Sequence, residues 1–197
     1  MTLELCDEFE GGFGWSEPGF LERTSHALEI EGRVFLLDPI DAPGLDEQIG
    51  ALGDPEAVVQ LLDRHERDCA AVAGRLGVPR LRVPREAPDR PFGLIRLTWS
   101  PVWREVAFWE PRRDVLVVGD ALGTSRYFTA AGEALGVHPL LRPWPPRALA
   151  GLAPRHVLCG HGLGIHGDEA ALALAEALTT ARRRIPRWLA GQVRRKR

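Results

Sequence analysis

Three apolar runs of this chain each open onto an ionisable residue: AVVQLLDRHERDC (57–69), DVLVVGDAL (114–122) and HVLCGHG (156–162). Short continuous runs so rich in Val and Leu read as buried strands. A buried strand that ends on an acid or a histidine is where α/β proteins usually place chemistry. The runs are far apart in sequence, so only a fold can bring Asp68, Asp120 and His161 together. The chain is thereby constrained to an α/β arrangement whose strand ends converge.

The intervening segments supply helices and further strands. HALEIEG (26–32) alternates and pairs with VFLLDP (34–39) as a hairpin. LDEQIGALG reads as a short helix ending at Gly53, and CAAVAGRLG as one ending at Gly77. VPRLRVP (78–84) is a strand bounded by prolines, and residues 85–93 form a Pro-rich connector. LIRLTW (94–99) and EVAFWE (105–110) alternate and pair. Residues 139–154 are proline-dense, with room for one short helix at PPRALAGLA. GDEAALALAEALTTARRR (167–184) is the clearest helix, with Asp168 placed to cap it. EGGFG (10–14) lacks Gly-Lys-Ser/Thr, so it reads as a flexible turn and not a phosphate loop, with Phe9, Phe13 and Trp15 packing on the body.

At 197 residues, 45% apolar and 26% charged, the chain is long enough for one domain over 1–197 with a full core. No run reads as a membrane span or a leader. Cys6, Cys69 and Cys159 fit neither a disulfide framework nor a zinc knuckle, so the expected compartment is a reducing cytoplasm. Residues 1–50 hold 12 acids against Arg23 and Arg33, a net of −10, whereas the tail 182–197 holds eight basic residues and no acid. That tail reads first as a solvated helix end favoured by the helix dipole and facing the acidic region. No aromatic-interleaved basic surface accompanies it, which argues against nucleic acid as a partner.

Taken in order, these motifs resemble the metallo-β-lactamase superfamily of hydrolases over roughly residues 24–181. VFLLDP resembles the family's early strand ending in an acid. LLDRHERDC resembles its strand running into His-x-His-x-Asp-His. TWSPVWREVAF (98–108) resembles its Pro-Gly-His loop, VVGDAL its Gly-Asp strand end, and LCGHG its final Gly-His-Gly. The resemblance implies a four-layer αββα sandwich of two mixed β-sheets.

The departures from the family pattern bear on the metal. The resemblance places Arg64, Glu66 and Trp103 where the family's first site has histidines, and neither a guanidinium nor an indole ligates a metal. That site reads as degraded, with Arg64 substituting a fixed positive charge for the lost ion. The second site would map to Asp68, Cys69, Asp120 and His161, a set able to hold one zinc or iron ion. Asp68 or Asp120 would then be the catalytic carboxylate. A one-residue shift would bring His65 into play, but strand alternation argues that such a slip turns the side chain away. A metal-free reading stands beside this one, with Arg64 pairing the acids and Cys69 a small apolar helix residue.

Other candidates carry less. His166 reads as a helix-entry surface residue and Cys159 as buried filler, while His26 and His138 show no partner in sequence. Ser100 and Ser125 lack an elbow motif. Trp99, Trp103 and Trp109 flank the presumed site loop and could line an apolar pocket. Three functions follow: a non-catalytic relative that binds a small molecule or protein partner, a single-metal hydrolase of an ester, thioester or phosphodiester, or a nucleic-acid accessory acting through the tail.

Overall fold

The computed structural model describes residues 3–87 and 90–194. Two residues of the Pro-rich connector, Pro88 and Asp89, and residues 195–197 of the basic tail lie outside the described residues.

The first half of the chain builds one sheet. Strands β1 (Glu4–Phe9), β2 (Gly12–Glu17), β3 (Arg23–Ile30) and β4 (Arg33–Leu37) follow one another antiparallel. Helix α1 (Leu45–Leu52) then returns the chain to β5 (Asp54–Gln60), parallel to β4. Helix α2 (Cys69–Leu76) returns it to β6 (Arg80–Arg82), parallel to β5. The second half builds the other sheet, beginning with β7 (Gly93–Ser100), β8 (Trp103–Glu110) and β9 (Val115–Val118). A two-stranded excursion, β10 (Leu122–Gly123) and β11 (Gly136–Val137), follows. Strand β12 (His156–Cys159) then lies parallel to β9, with β13 (Ile165–His166) antiparallel at its edge. Helices α3 (Asp168–Thr180) and α4 (Ile185–Arg194) close the chain.

Strand periodicity sorts the side chains into layers. Phe35 and Leu37 of β4, Val59 of β5, Phe108 of β8 and Val117 of β9 face one another between the two sheets. Their neighbours one residue away point outward: Val34, Leu36 and Val58 pack under Leu45, Ile49 and Val72 of α1 and α2. Leu116 and Val118 pack under Ala170, Leu174 and Ala177 of α3. Period-2 alternation buried on both faces accounts for the continuous apolar runs. The result is the expected αββα sandwich of two mixed sheets. Among the described residues, no helix is long and apolar enough to cross a membrane.

Three local expectations are corrected. The turn expected over EGGFG is confined to Glu10 and Gly11, between β1 and β2, while Gly12, Phe13 and Gly14 belong to β2; Gly11 is left-handed (φ 77°), where glycine bears no Cβ penalty. Asp168 is the first residue of α3, and Gly167 occupies the cap position without a side-chain bond. Part of the basic tail forms α4, whose Trp188 donates to the Tyr127 carbonyl at 2.7 Å. Among the described residues, Arg182 and Arg184 meet the Pro143 carbonyl, Glu133 and Glu176 rather than the acidic N-terminal region.

Candidate metal centre

The two parallel strand pairs, β4 with β5 and β9 with β12, end at the same edge of the sandwich. Asp38 follows β4, His65 lies in the turn after β5, Asp120 follows β9 and His161 follows β12. Parallel strands must point their carboxyl ends one way, which explains why residues so distant in sequence meet. Two isolated bridges, Leu62 with Glu105 and Arg23 with His161, fasten the sheets together at this edge.

Two imidazoles converge on one carboxylate oxygen. His65 Nε2 lies 2.9 Å and His161 Nε2 3.0 Å from Asp120 Oδ1. Each ring is anchored from behind: His65 Nδ1 is 2.8 Å from Asp38 Oδ2, and His161 Nδ1 is 2.9 Å from the Leu21 carbonyl. Both anchors accept hydrogen bonds, so they hold a proton on each Nδ1 and turn each Nε2 toward Asp120. Asp38 is itself held by the Leu61 amide at 2.8 Å, and its backbone is left-handed (φ 45°), a costly conformation for a non-glycine residue.

Burial alone would raise the Asp120 carboxyl, but contacts from His161 and His65 outweigh it and hold the acid well below the usual range. Burial and nearby Arg67 oppose charge on His65, yet Asp38 and Asp120 prevail and raise that ring. Beneath the cluster, Glu105 accepts from the Ala121 amide at 2.9 Å and the Trp103 indole at 2.8 Å. Burial, with the Asp120 charge adding to it, pushes Glu105 up to about 7.

Arg67 binds the edge together. Its guanidinium donates to the carbonyls of Thr24, Asp38 (2.9 Å) and Gly160 (2.9 Å) and to Ser25 Oγ (3.3 Å). The glycines of GHG are sterically required. A Cβ on Gly160 would lie 2.8 Å from the Gly119 carbonyl and 3.0 Å from His65 Cε1. Gly162 is left-handed (φ 87°) and its Cβ would lie 2.4 Å from the Ser125 amide. Gly160→Ala is therefore expected to destabilise the protein by about 1–3 kcal/mol, since backbone and not a flexible side chain must yield. Urea unfolding checks this; an unchanged midpoint would count against the close packing.

The residues expected from sequence divide in two. Asp120 and His161 come together, and His65 is their partner. Asp68 does not join them: it precedes α2, and its Oδ2 accepts the Asp41 amide at 2.8 Å. Cys69 is fully buried among α1 and α2 core residues, and burial pushes its thiol up to about 12, away from the thiolate a ligand needs. Cys69→Ala should therefore leave metal content unchanged while lowering stability by up to about 1–2 kcal/mol. A fall in bound metal without a fall in stability would reverse that assignment. Arg64 faces Asp120 as expected, 3.9 Å from Oδ2, with its guanidinium 4.3 Å above the Trp103 ring. Glu66 is exposed beside Arg82 at 3.4 Å.

The chemistry of this donor set can be tested on Asp120 Oδ1. The oxygen is buried and receives no hydrogen bond of acceptable geometry, although two imidazole nitrogens flank it. The ligand atoms of His65, Asp120 and His161 all lie within 4.8 Å of one another. Residues His65, Asp120 and His161 fit one divalent ion, in the two-histidine, one-carboxylate pattern with open positions.

No protein-family model and no curated protein matches the sequence. Solved structures do resemble it. DIM-1 metallo-β-lactamase aligns with 92% of this chain and 98% of its own, at 14% identity and TM-score 0.59. FIM-1 from Pseudomonas aeruginosa, in its mono-zinc form, aligns over 92% and 97%, at 10% identity and TM-score 0.60. A metallo-β-lactamase from Hirschia baltica aligns over 90% and 98%, at 11% identity and TM-score 0.59. The chain has the metallo-β-lactamase fold. Its His65, Asp120 and His161 occupy the strand-end edge of that fold, with Asp38 behind His65 and Arg67 tying the strand ends together.

Proposed function

We propose that the protein is a single-metal hydrolase of an ester-type substrate. The observation that carries this reading is the buried, unsatisfied Asp120 oxygen between two imidazole nitrogens whose outer faces are already anchored. Such anchoring fixes tautomer and ring orientation, the usual support of ligating histidines. His65, Asp120 and His161 would hold the ion. A divalent ion there would supply Lewis acidity and a more acidic bound water.

The chain's own residues supply the rest. Arg64, half exposed over Trp103, offers a cation beside Asp120 for an anionic portion of the substrate. His138 accepts the Leu140 amide on Nδ1 at 3.2 Å, so its proton sits on Nε2, and burial pushes its pKa down to about 4, leaving the ring neutral near pH 7. It packs on Trp103, 4.7 Å between ring centres, and can donate one hydrogen bond without carrying charge. Glu105 and Trp103 orient this side of the site through their mutual bond.

The non-catalytic reading draws on one observation. Protons on both Nε2 atoms, at 2.9 and 3.0 Å from Asp120, could close the network without an ion. Elemental analysis of protein purified without a metal-affinity tag separates the two. One ion per chain, with metal-dependent hydrolysis of generic ester, thioester or phosphodiester substrates, supports the hydrolase. A metal-free, inert protein after equilibration with zinc, manganese and iron would favour binding alone.

A further inference from the structure

A cavity lies beside Asp63, the residue that precedes Arg64. It encloses about 400 Å³ and is lined by Asp63, Arg82, Arg85, Trp99 and Arg104. Three arginines against one buried-edge acid give it a net positive lining. Their pairing is weak: Arg82 reaches exposed Glu66 at 3.4 Å, and Arg104 reaches Asp63 at 3.9 Å. Exposed pairs of this kind hold little energy, so a ligand can displace them. Arg85 meets no acid among the described residues and lies over the Trp99 ring, 5.1 Å from its centre. A guanidinium stacked on an indole presents its in-plane donors sideways, in the fork that suits phosphate or carboxylate oxygens.

Asp63 adds a second, independent observation. Its Oδ2 accepts the Arg104 amide at 3.1 Å, but Oδ1 is buried and has no donor. Oδ1 is shut off from solvent and so from a ligand, whereas Oδ2 keeps a second lone pair that a ligand donor can use. An anion alone would satisfy the arginines and be repelled by Asp63. A ligand that bears both phosphate oxygens and a hydroxyl would satisfy both.

We infer that this cavity binds a hydroxyl-bearing phosphate ester, a sugar phosphate or a nucleotide, with its phosphate on Arg82, Arg85 and Arg104 and a hydroxyl donating to Asp63 Oδ2. The site uses none of the metal-centre residues and stands whether or not an ion binds at Asp120.

Isothermal titration calorimetry in chelator-treated buffer tests it, with inorganic phosphate, ribose phosphate and AMP as probes. The two esters are expected to bind more tightly than inorganic phosphate. AMP binding above ribose phosphate identifies a nucleotide with its base at Trp99, and equality identifies a sugar phosphate. Arg85→Ala and Arg104→Ala should each weaken ester binding by about tenfold, as loss of a charge-assisted bond does. Asp63→Asn should abolish the preference for esters over inorganic phosphate, and Glu66→Gln should tighten binding by freeing Arg82. Arg33→Ala, a surface arginine paired with Glu56, is the control and should change nothing. The arginines of the cavity are exposed enough that these variants should fold, which a thermal unfolding midpoint verifies. No ester binding by the wild type, or equal binding by the arginine variants, would overturn the proposal.

Discussion

Asp120→Ala is expected to remove divalent metal from the protein altogether. The wild type equilibrated with zinc should retain one ion per chain, and the variant none, because the one carboxylate shared by both imidazoles is gone. His161→Ala should behave alike. Asp38→Asn tests the layer behind: it should leave the ligands in place but weaken affinity by about 10–100-fold, the usual cost of losing a supporting partner. The pH dependence follows from His65. An ion needs the Nε2 lone pair, and Asp38 and Asp120 raise the pKa of that ring, so protons compete with the metal. Affinity should therefore climb as pH rises through the raised His65 value, with proton release on binding. Flat affinity across that range, or full metal retention by Asp120→Ala, would refute the assignment of ligands.

Arg67→Met should cost about 3–5 kcal/mol of stability, read by urea unfolding, since a cation serving several acceptors is removed from a part-buried position. Three backbone carbonyls, from Thr24, Asp38 and Gly160, would lose a donor at once. Arg67→Lys should rescue little, because one ammonium cannot reach acceptors arrayed around a planar fork. A loss under about 1 kcal/mol would show that water replaces the guanidinium freely.

The sandwich was legible because its strands are short, apolar and ordered. The β3–β4 and β7–β8 hairpins and helices α1 and α2 lie where the alternation and the glycines Gly53 and Gly77 place them. The acidic hairpin β1–β2 was not legible, because Glu and Gly there obscure the period-2 pattern. The site was half legible. Asp120 and His161 stand directly after continuous apolar strands, where position determines direction. Strand alternation argues against His65, but that rule does not hold there. The chain leaves β5 at Gln60, and His65 already lies in a turn, its amide bonded to the Leu62 carbonyl at 3.0 Å. Left-handed Arg67 (φ 38°) then turns the backbone again, so that Arg67 points inward and Asp68 outward to the Asp41 amide. Asp38 carried a visible signal, an acid ending an apolar run, but nothing in sequence tied it to His65.

The candidate metal centre draws one pair of residues, Asp38 and His65, from β1–β6 and the other, Asp120 and His161, from β7–β13. Each sheet belongs wholly to one half of the chain, and the covalent link between the halves runs through the Pro-rich connector. A chain severed in that connector would yield two fragments, each with a naked apolar face and neither with a complete ligand set. Their reassociation would create an ion-binding site from two pieces that lack one. The fold could thus act as a split reporter, in which captured metal signals that the two fragments have met.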